Sequence, residues 1–81
     1  MPRYINVVGT VIAITYPGAG EIPQMLVQLK VGKSLLALVF QSRTTLGALR
    51  VGQKVRVRGN IVRRNAVPTI FNPDYQIEET A

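Results

Sequence analysis

Two glycines interrupt the two longest β-forming stretches, and they constrain the fold more than any other feature of this sequence. Gly9 lies within the β-branched stretch of residues 4–16, and Gly59 lies within residues 54–64. Glycine weakens the interior of a strand and typically marks a bulge, a sharp bend or a close backbone approach. The sequence therefore predicts a long first strand and a long fourth strand that each bend and serve two sheet faces.

The rest of the chain has the pattern of short strands joined by turns, without a long helical stripe. Residues 24–31 alternate apolar and polar side chains, and Gly32-Lys33 predicts a two-residue hairpin turn into the third strand, residues 34–40. Asn65-Ala66 predicts the turn into a last strand, residues 68–78. Five strands are expected, and Pro73 predicts that the last one lies at an edge or is kinked.

The third predicted strand is apolar on both faces. One face carries Leu35, Ala37 and Val39, and the other carries Leu36, Leu38 and Phe40. Such a strand is either covered on both sides or offers an apolar surface to a partner. Residues 42–50 follow it, and the helical spacing of Leu46 and Leu49 predicts one or two helical turns before the fourth strand.

Five strands, glycines in the first and fourth, and a short helix or turn between the third and fourth are typical of the OB-fold, a Greek-key barrel. The stretch Gly52-Gln-Lys-Val55-Arg-Val57-Arg-Gly59-Asn-Ile61 resembles the "G-x-x-V-x-V-x-G-x-V" entry into strand four of OB-fold nucleic-acid-binding domains. The ending Phe71-Asn-Pro73-Asp-Tyr75-Gln-Ile77 is similar to the close of RecG-like wedge domains and of small free-standing bacterial OB proteins.

The resemblance spans nearly the whole chain and is strongest over residues 35–77. It implies one all-β domain over residues 1–81, a five-stranded OB-fold Greek-key barrel of bacterial type that binds single-stranded nucleic acid. The RecG-like close favours DNA over RNA. OB barrels bind single strands across strands two and three, flanked by the loops between strands one and two and between four and five.

Positive charge is concentrated in the middle of the chain. Residues 43–70 carry seven Lys or Arg and no acid, whereas residues 71–81 carry three acids and no base, and the whole chain has a net charge of +6. Such asymmetry predicts a basic patch that faces an anionic partner. Arg is the main cation, and its planar guanidinium pairs with phosphate and stacks on bases.

The candidate nucleic-acid-binding residues combine this charge with the resemblance. The outward positions of the fourth strand and the loop after it are basic, so that surface is the predicted centre of the site. Aromatic rings that could stack bases are few, with Tyr16 the first candidate and Phe40 the next. The full predicted set is Tyr16, Gln28, Lys30, Lys33, Phe40, Arg43, Lys54, Arg56, Arg58, Arg63, Arg64 and Asn65.

Catalysis is not expected from this composition. The chain has no Cys and no His, and its only acids are Glu21, Asp74, Glu78 and Glu79. Without imidazole, thiol or clustered carboxylates, we expect no catalytic residues, no metal site and no cofactor. Because no apolar run approaches the roughly 20 residues of a membrane helix, we expect no membrane partner. The absence of Cys fits a cytoplasmic protein.

A second hypothesis is that the domain serves interaction or assembly. The two-faced apolar strand of residues 35–40 would then pair subunits into a homo-oligomer, or dock the chain onto a larger DNA-processing protein of replication or repair. The two hypotheses are compatible, because a lone OB domain can extend a short binding site by oligomerising.

Overall fold

The computed structural model describes residues 3–16, 24–41 and 49–78 of the chain. These residues form six β-strands: β1 (Arg3–Thr15), β2 (Gln24–Val31), β3 (Ser34–Gln41), β4 (Lys54–Arg64), β5 (Val67–Phe71) and β6 (Asp74–Glu78). The bounds of the second and fourth strands match the sequence prediction. No helix occurs in the described parts of the chain, so the fold is all-β as predicted.

Five of the strands close into a ring. The sheet order is β1-β2-β3-β5-β4, and β4 pairs again with β1. All neighbours in the ring are antiparallel except β3 and β5, which run parallel where Ala37 lies beside Thr69. Inward side chains from every ring strand fill the interior; the largest fully buried ones are Phe40, Met25, Leu29, Leu38 and Ile70.

β1 changes its partner near Gly9, as the sequence predicted. Its first half pairs with β4 as far as Thr10, and its second half pairs with β2 from Thr10 onward. A Cβ on Gly9 would lie 2.9 Å from the backbone oxygen of Lys30, so the glycine permits a close backbone approach between strands. The irregularity in register lies slightly later, between Val11 and Ala13.

β4 changes its neighbour at Gly59. Before this residue β4 pairs with β6, and from Ile61 onward it pairs with β5. A Cβ on Gly59 would lie 2.6 Å from Cγ2 of Ile70, a core side chain, so only glycine fits without a shift. Both interior glycines are therefore required by close packing at the points where long strands change partners.

The single last strand predicted over residues 68–78 is two strands in the structure. Asn72 has a φ of 50° and Pro73 follows it, so the chain turns between β5 and β6. The Asn72 side chain holds this turn against β3 by accepting a hydrogen bond from the Gln41 backbone N–H at 2.8 Å. Pro73 was correctly predicted to kink the strand, and β6 pairs with β4 alone among the described strands.

Both predicted hairpin turns are present. Gly32 has a φ of 60° in the β2–β3 turn, and Asn65 and Ala66 have φ values of 53° and 65° in the β4–β5 turn. Positive φ at both central residues, as at Asn65 and Ala66, is typical of a type I′ turn, and positive φ at the first alone, as at Gly32, is typical of a type II′ turn; both types suit twisted hairpins. The predicted helical segment falls mostly on residues 42–48, which lie outside the described residues; Leu49 and Arg50, which are described, are not helical.

Candidate nucleic-acid interface

The predicted basic row of β4 lies between β1 and β6. Lys54, Arg56 and Arg58 occupy alternate positions and face outward, because Val55 and Val57 between them are buried in the core. We call these three cations the β4 row. Their cross-strand partners on β6 are Glu78, Gln76 and Asp74, respectively.

Acidic side chains therefore flank the β4 row. Arg56 Nη2 lies 3.5 Å from Glu78 Oε1, and Arg56 Nη1 donates a hydrogen bond of 3.0 Å to Asn6 Oδ1 on β1. Asp74 lies opposite Arg58 in the register. Two carboxylates thus offset most of the charge of three cations, and the guanidinium of Arg56 is already engaged on two sides.

Arg63 and Arg64 are neighbours in sequence but face opposite sides of β4. Arg63 Nη1 donates a hydrogen bond of 3.2 Å to the Ala66 carbonyl across the β4–β5 turn. Arg64 lies on the outward side, with its guanidinium carbon 5.6 Å from the centroid of the Phe71 ring. This distance is that of a cation–π contact, which holds the Arg64 side chain over the outer surface.

Phe40 was predicted as a stacking residue, and the structure contradicts this. Its ring is 2% exposed and packs edge-on against Tyr75, with centroids 5.5 Å apart. A ring inside the core presents no face to a base. Phe71, which sequence reasoning did not select, is a half-buried ring on the outer side of β5; its position next to the inward Ile70 was the signal that indicated this orientation.

The outward side chains of β2, β3 and β5 lie on the same side of the sheet as Arg64, although two of them, Val39 and Thr69, are buried. Lys30 is the cross-strand partner of Leu35, and Gln28 that of Ala37. Ala37 is in turn beside Thr69 on β5, and Val67 is beside Arg64 on β4. We call this surface the β2–β5 face; its exposed or half-buried members are Gln28, Lys30, Leu35, Ala37, Arg64, Val67 and Phe71.

Charge on the β2–β5 face has no carboxylate beside it among the described residues. Lys30 and Arg64 lie on β2 and β4, three strand spacings apart, or about 14 Å along the sheet. Lys33 is exposed at the tip of the β2–β3 hairpin, and Asn65 is exposed in the β4–β5 turn. Cations therefore lie on both sides of the β2–β5 face, which carries polar and apolar side chains between them.

The remaining candidates are scattered. Tyr16 is 55% exposed directly after β1, close to the start of β2, where Thr15 pairs with Leu26. Arg43 lies outside the described residues. Tyr4, which was not selected, is 64% exposed on β1 beside Asn60 and belongs to the same side as the β4 row.

The apolar strand proposed for assembly is a central strand of the ring. β3 pairs with β2 along its whole length, and with β5 only from Ala37 to Val39. Leu36, Leu38, Val39 and Phe40 are buried, and Leu35 is 53% exposed. The apolar surface that this strand offers to a partner is therefore small.

No cluster of three potential metal ligands occurs within the described ranges. The part of the chain that the structure describes likewise contains no helix long and apolar enough to cross a membrane. Comparison with protein-family models and with curated proteins finds no match to this sequence.

Proposed function

We propose that this chain is an OB-fold domain that binds single-stranded nucleic acid, DNA rather than RNA, without catalysing a reaction. The ring order β1-β2-β3-β5-β4-β1 with a parallel β3–β5 pair supports the OB-fold assignment. The resemblance of residues 52–61 and 71–77 to OB-fold nucleic-acid-binding domains supports the choice of ligand.

The β2–β5 face supports binding better than the β4 row does. The observation that carries this choice is the pairing of β6 with β4, which sets Asp74 and Glu78 beside the β4 row. A phosphate backbone approaching there meets carboxylates as well as cations. On the β2–β5 face it meets Lys30 and Arg64 with no described acid beside them, and electrostatic attraction to phosphates supplies much of the affinity of such proteins.

The chemistry of the β2–β5 face suits a single strand. Lys30 and Lys33 would bind phosphates near the β2–β3 hairpin, and the Arg64 guanidinium, oriented by Phe71, would bind a phosphate or stack on a base. Leu35 and Val67 would contact base faces between these cations. Gln28 and Asn65 supply amide groups that hydrogen-bond base edges.

Fluorescence anisotropy with a labelled oligo-dT of about 20–30 bases tests the proposal, because this length covers at least one OB-fold site. The same measurement on a duplex and on oligo-U of equal length tests the preference for single-stranded DNA. Two variants matched in charge locate the site: Lys30→Gln/Arg64→Gln on the β2–β5 face and Arg56→Gln/Arg58→Gln on the β4 row.

We expect the Lys30→Gln/Arg64→Gln variant to bind oligo-dT at least about tenfold more weakly, because two phosphate contacts are lost. The Arg56→Gln/Arg58→Gln variant should stay within about threefold of the original protein, since its loss acts only through net charge. The reverse order would move the site to the β4 row. Absence of binding by the original protein at about 20 mM salt, where electrostatic attraction is strongest, would reject the function.

A further inference from the structure

An open groove lies at one end of the ring and adjoins the β2–β5 face at Leu35, which lines both. It encloses about 820 Å³ between the first half of β1, the β2–β3 hairpin and the β4–β5 hairpin. Aliphatic side chains form most of its described wall, among them Ile5, Val7, Leu36 and Ile61. This volume is within the range of about 300–1,000 Å³ that is usual for ligand sites.

One wall of the groove is an unpaired strand edge. Residues 3–9 of β1 pair with β4 on one side, whereas β2 pairs with β1 only from Thr10 onward. Among the described residues no other strand and no turn hydrogen bond reaches the second edge of residues 3–8. Its outward-pointing N–H and C=O groups are a template onto which an extended chain can add as a further strand.

Two arginines supply the charge of the groove. Arg3 and Arg63 line it, and its described lining contains no acidic residue. Both side chains are exposed, and the hydrogen bond from Arg63 to the Ala66 carbonyl places one of them at the rim. Carboxylates at one end of an incoming strand would therefore be bound next to aliphatic side chains.

We propose that this groove binds an extended segment of a partner protein in which alternating apolar residues precede a run of carboxylates. The segment would add to the free edge of β1, direct its apolar side chains onto Ile5, Val7 and Leu36, and set its carboxylates against Arg3 and Arg63. Charge complementarity selects this partner over a second copy of the chain, because two copies of a protein of net charge +6 repel each other. This inference does not rest on the proposed binding of nucleic acid.

Anisotropy of a fluorescein-labelled peptide, Gly-Gly-Thr-Val-Thr-Leu-Glu-Asp-Asp, tests the proposal on the whole chain. One control peptide replaces its three acids with Gln and Asn. A second keeps every side chain but carries N-methyl groups on alternate amides, which prevents it from adding to a strand edge. The protein variants are Arg63→Gln in the groove and Arg50→Gln, an equal loss of charge at an exposed residue outside the groove.

We expect saturable binding of the acidic peptide, and binding at least about fivefold weaker for Arg63→Gln and for the amide control peptide. The N-methylated peptide should not bind, and Arg50→Gln should bind like the original protein. Equal binding of the N-methylated peptide would refute strand addition. Equal losses for Arg63→Gln and Arg50→Gln would refute a localised charge contact, and a stable dimer in sedimentation that excludes the peptide would show that a second copy occupies the groove.

Discussion

Replacing Gly59 with alanine is expected to destabilise the fold, although alanine is the smallest possible addition. The new Cβ would lie 2.6 Å from Cγ2 of Ile70, whereas carbon atoms in contact normally stay about 3.5–4.0 Å apart. Ile70 is 1% exposed, and its β-branched side chain has few alternative rotamers, so it cannot rotate away. Pro73 lies within 3.7 Å on the neighbouring side and limits a shift of the backbone.

The magnitude follows from two opposing effects. Overpacking of a core typically costs about 1–3 kcal/mol. The loss of backbone freedom in the unfolded chain offsets about 0.4–1 kcal/mol of that cost. We therefore expect the free energy of unfolding to fall by about 1–2 kcal/mol, which corresponds to a Tm lower by roughly 5–15 °C for a domain of this size.

Urea denaturation followed by far-UV circular dichroism measures this change. Gly32→Ala is the matched control, because its Cβ would meet no atom within 4 Å while its φ of 60° is strained for alanine. Gly32→Asn should recover part of that control loss, since asparagine tolerates this conformation. The Ile70→Leu background, which removes the branching methyl group, should shrink the effect of Gly59→Ala and leave that of Gly32→Ala unchanged.

A Gly59→Ala protein as stable as the original, or an equal loss in both Ile70 backgrounds, would refute this reasoning. Either result would mean that the glycine is not required by contact with Ile70. The bend of β4 would then need another cause.

Three further outcomes are expected. Asn72→Gly keeps the backbone conformation but loses the hydrogen bonds to Gln41, so unfolding in urea should show a loss of about 1–2 kcal/mol; an unchanged midpoint would contradict this. Glu78→Gln breaks the ion pair between Arg56 and Glu78, whose side chains are 40% and 35% exposed, so the free energy of unfolding should fall by less than about 1 kcal/mol. The affinity of this variant for oligo-dT should rise only as much as the added unit of net charge explains. A larger rise would place the binding site at the β4 row. If Lys30, Lys33 and Arg64 each bind a phosphate, the logarithm of the association constant for oligo-dT should fall with the logarithm of the salt concentration at a slope near −2. Arg64→Gln should make this slope shallower by about 0.7. A slope that Arg64→Gln leaves unaltered would exclude a phosphate contact at Arg64.

Local signals predicted most of the strands. Alternation of side chains marked β2 and β4 to the residue, and the pairs Gly32-Lys33 and Asn65-Ala66 marked the two hairpin turns. These features depend on neighbours in sequence, because the period of a strand and the φ angles of a tight turn are local properties. The break at Asn72 was missed, although Pro73 indicated a kink, since Ile70, Phe71, Tyr75 and Ile77 continue the strand pattern across it.

The net charge follows directly from the sequence, but the surface on which each cation lies does not. The acid-free stretch 43–70 suggested one basic face, but alternation along the bent β4 separates Arg63 from Arg64 and sets the β4 row on another side from the β2–β5 face. The sequence also did not indicate on which side of β3 the ring of Phe40 lies. Its position on a strand that is apolar on both faces gave no indication of which face is the interior.

The sequence by itself determined an all-β chain with long strands bent at Gly9 and Gly59, because strand periodicity and glycine's freedom act over a few residues. Only the tertiary structure decided which charges meet. The acidic end of the chain pairs with the basic β4 row, joining Glu78 to Arg56 across a sheet contact that no local pattern encodes. Cross-strand register depends on how the whole ring closes. Because this register places carboxylates beside the β4 row, the proposed interface is the β2–β5 face rather than the most basic strand.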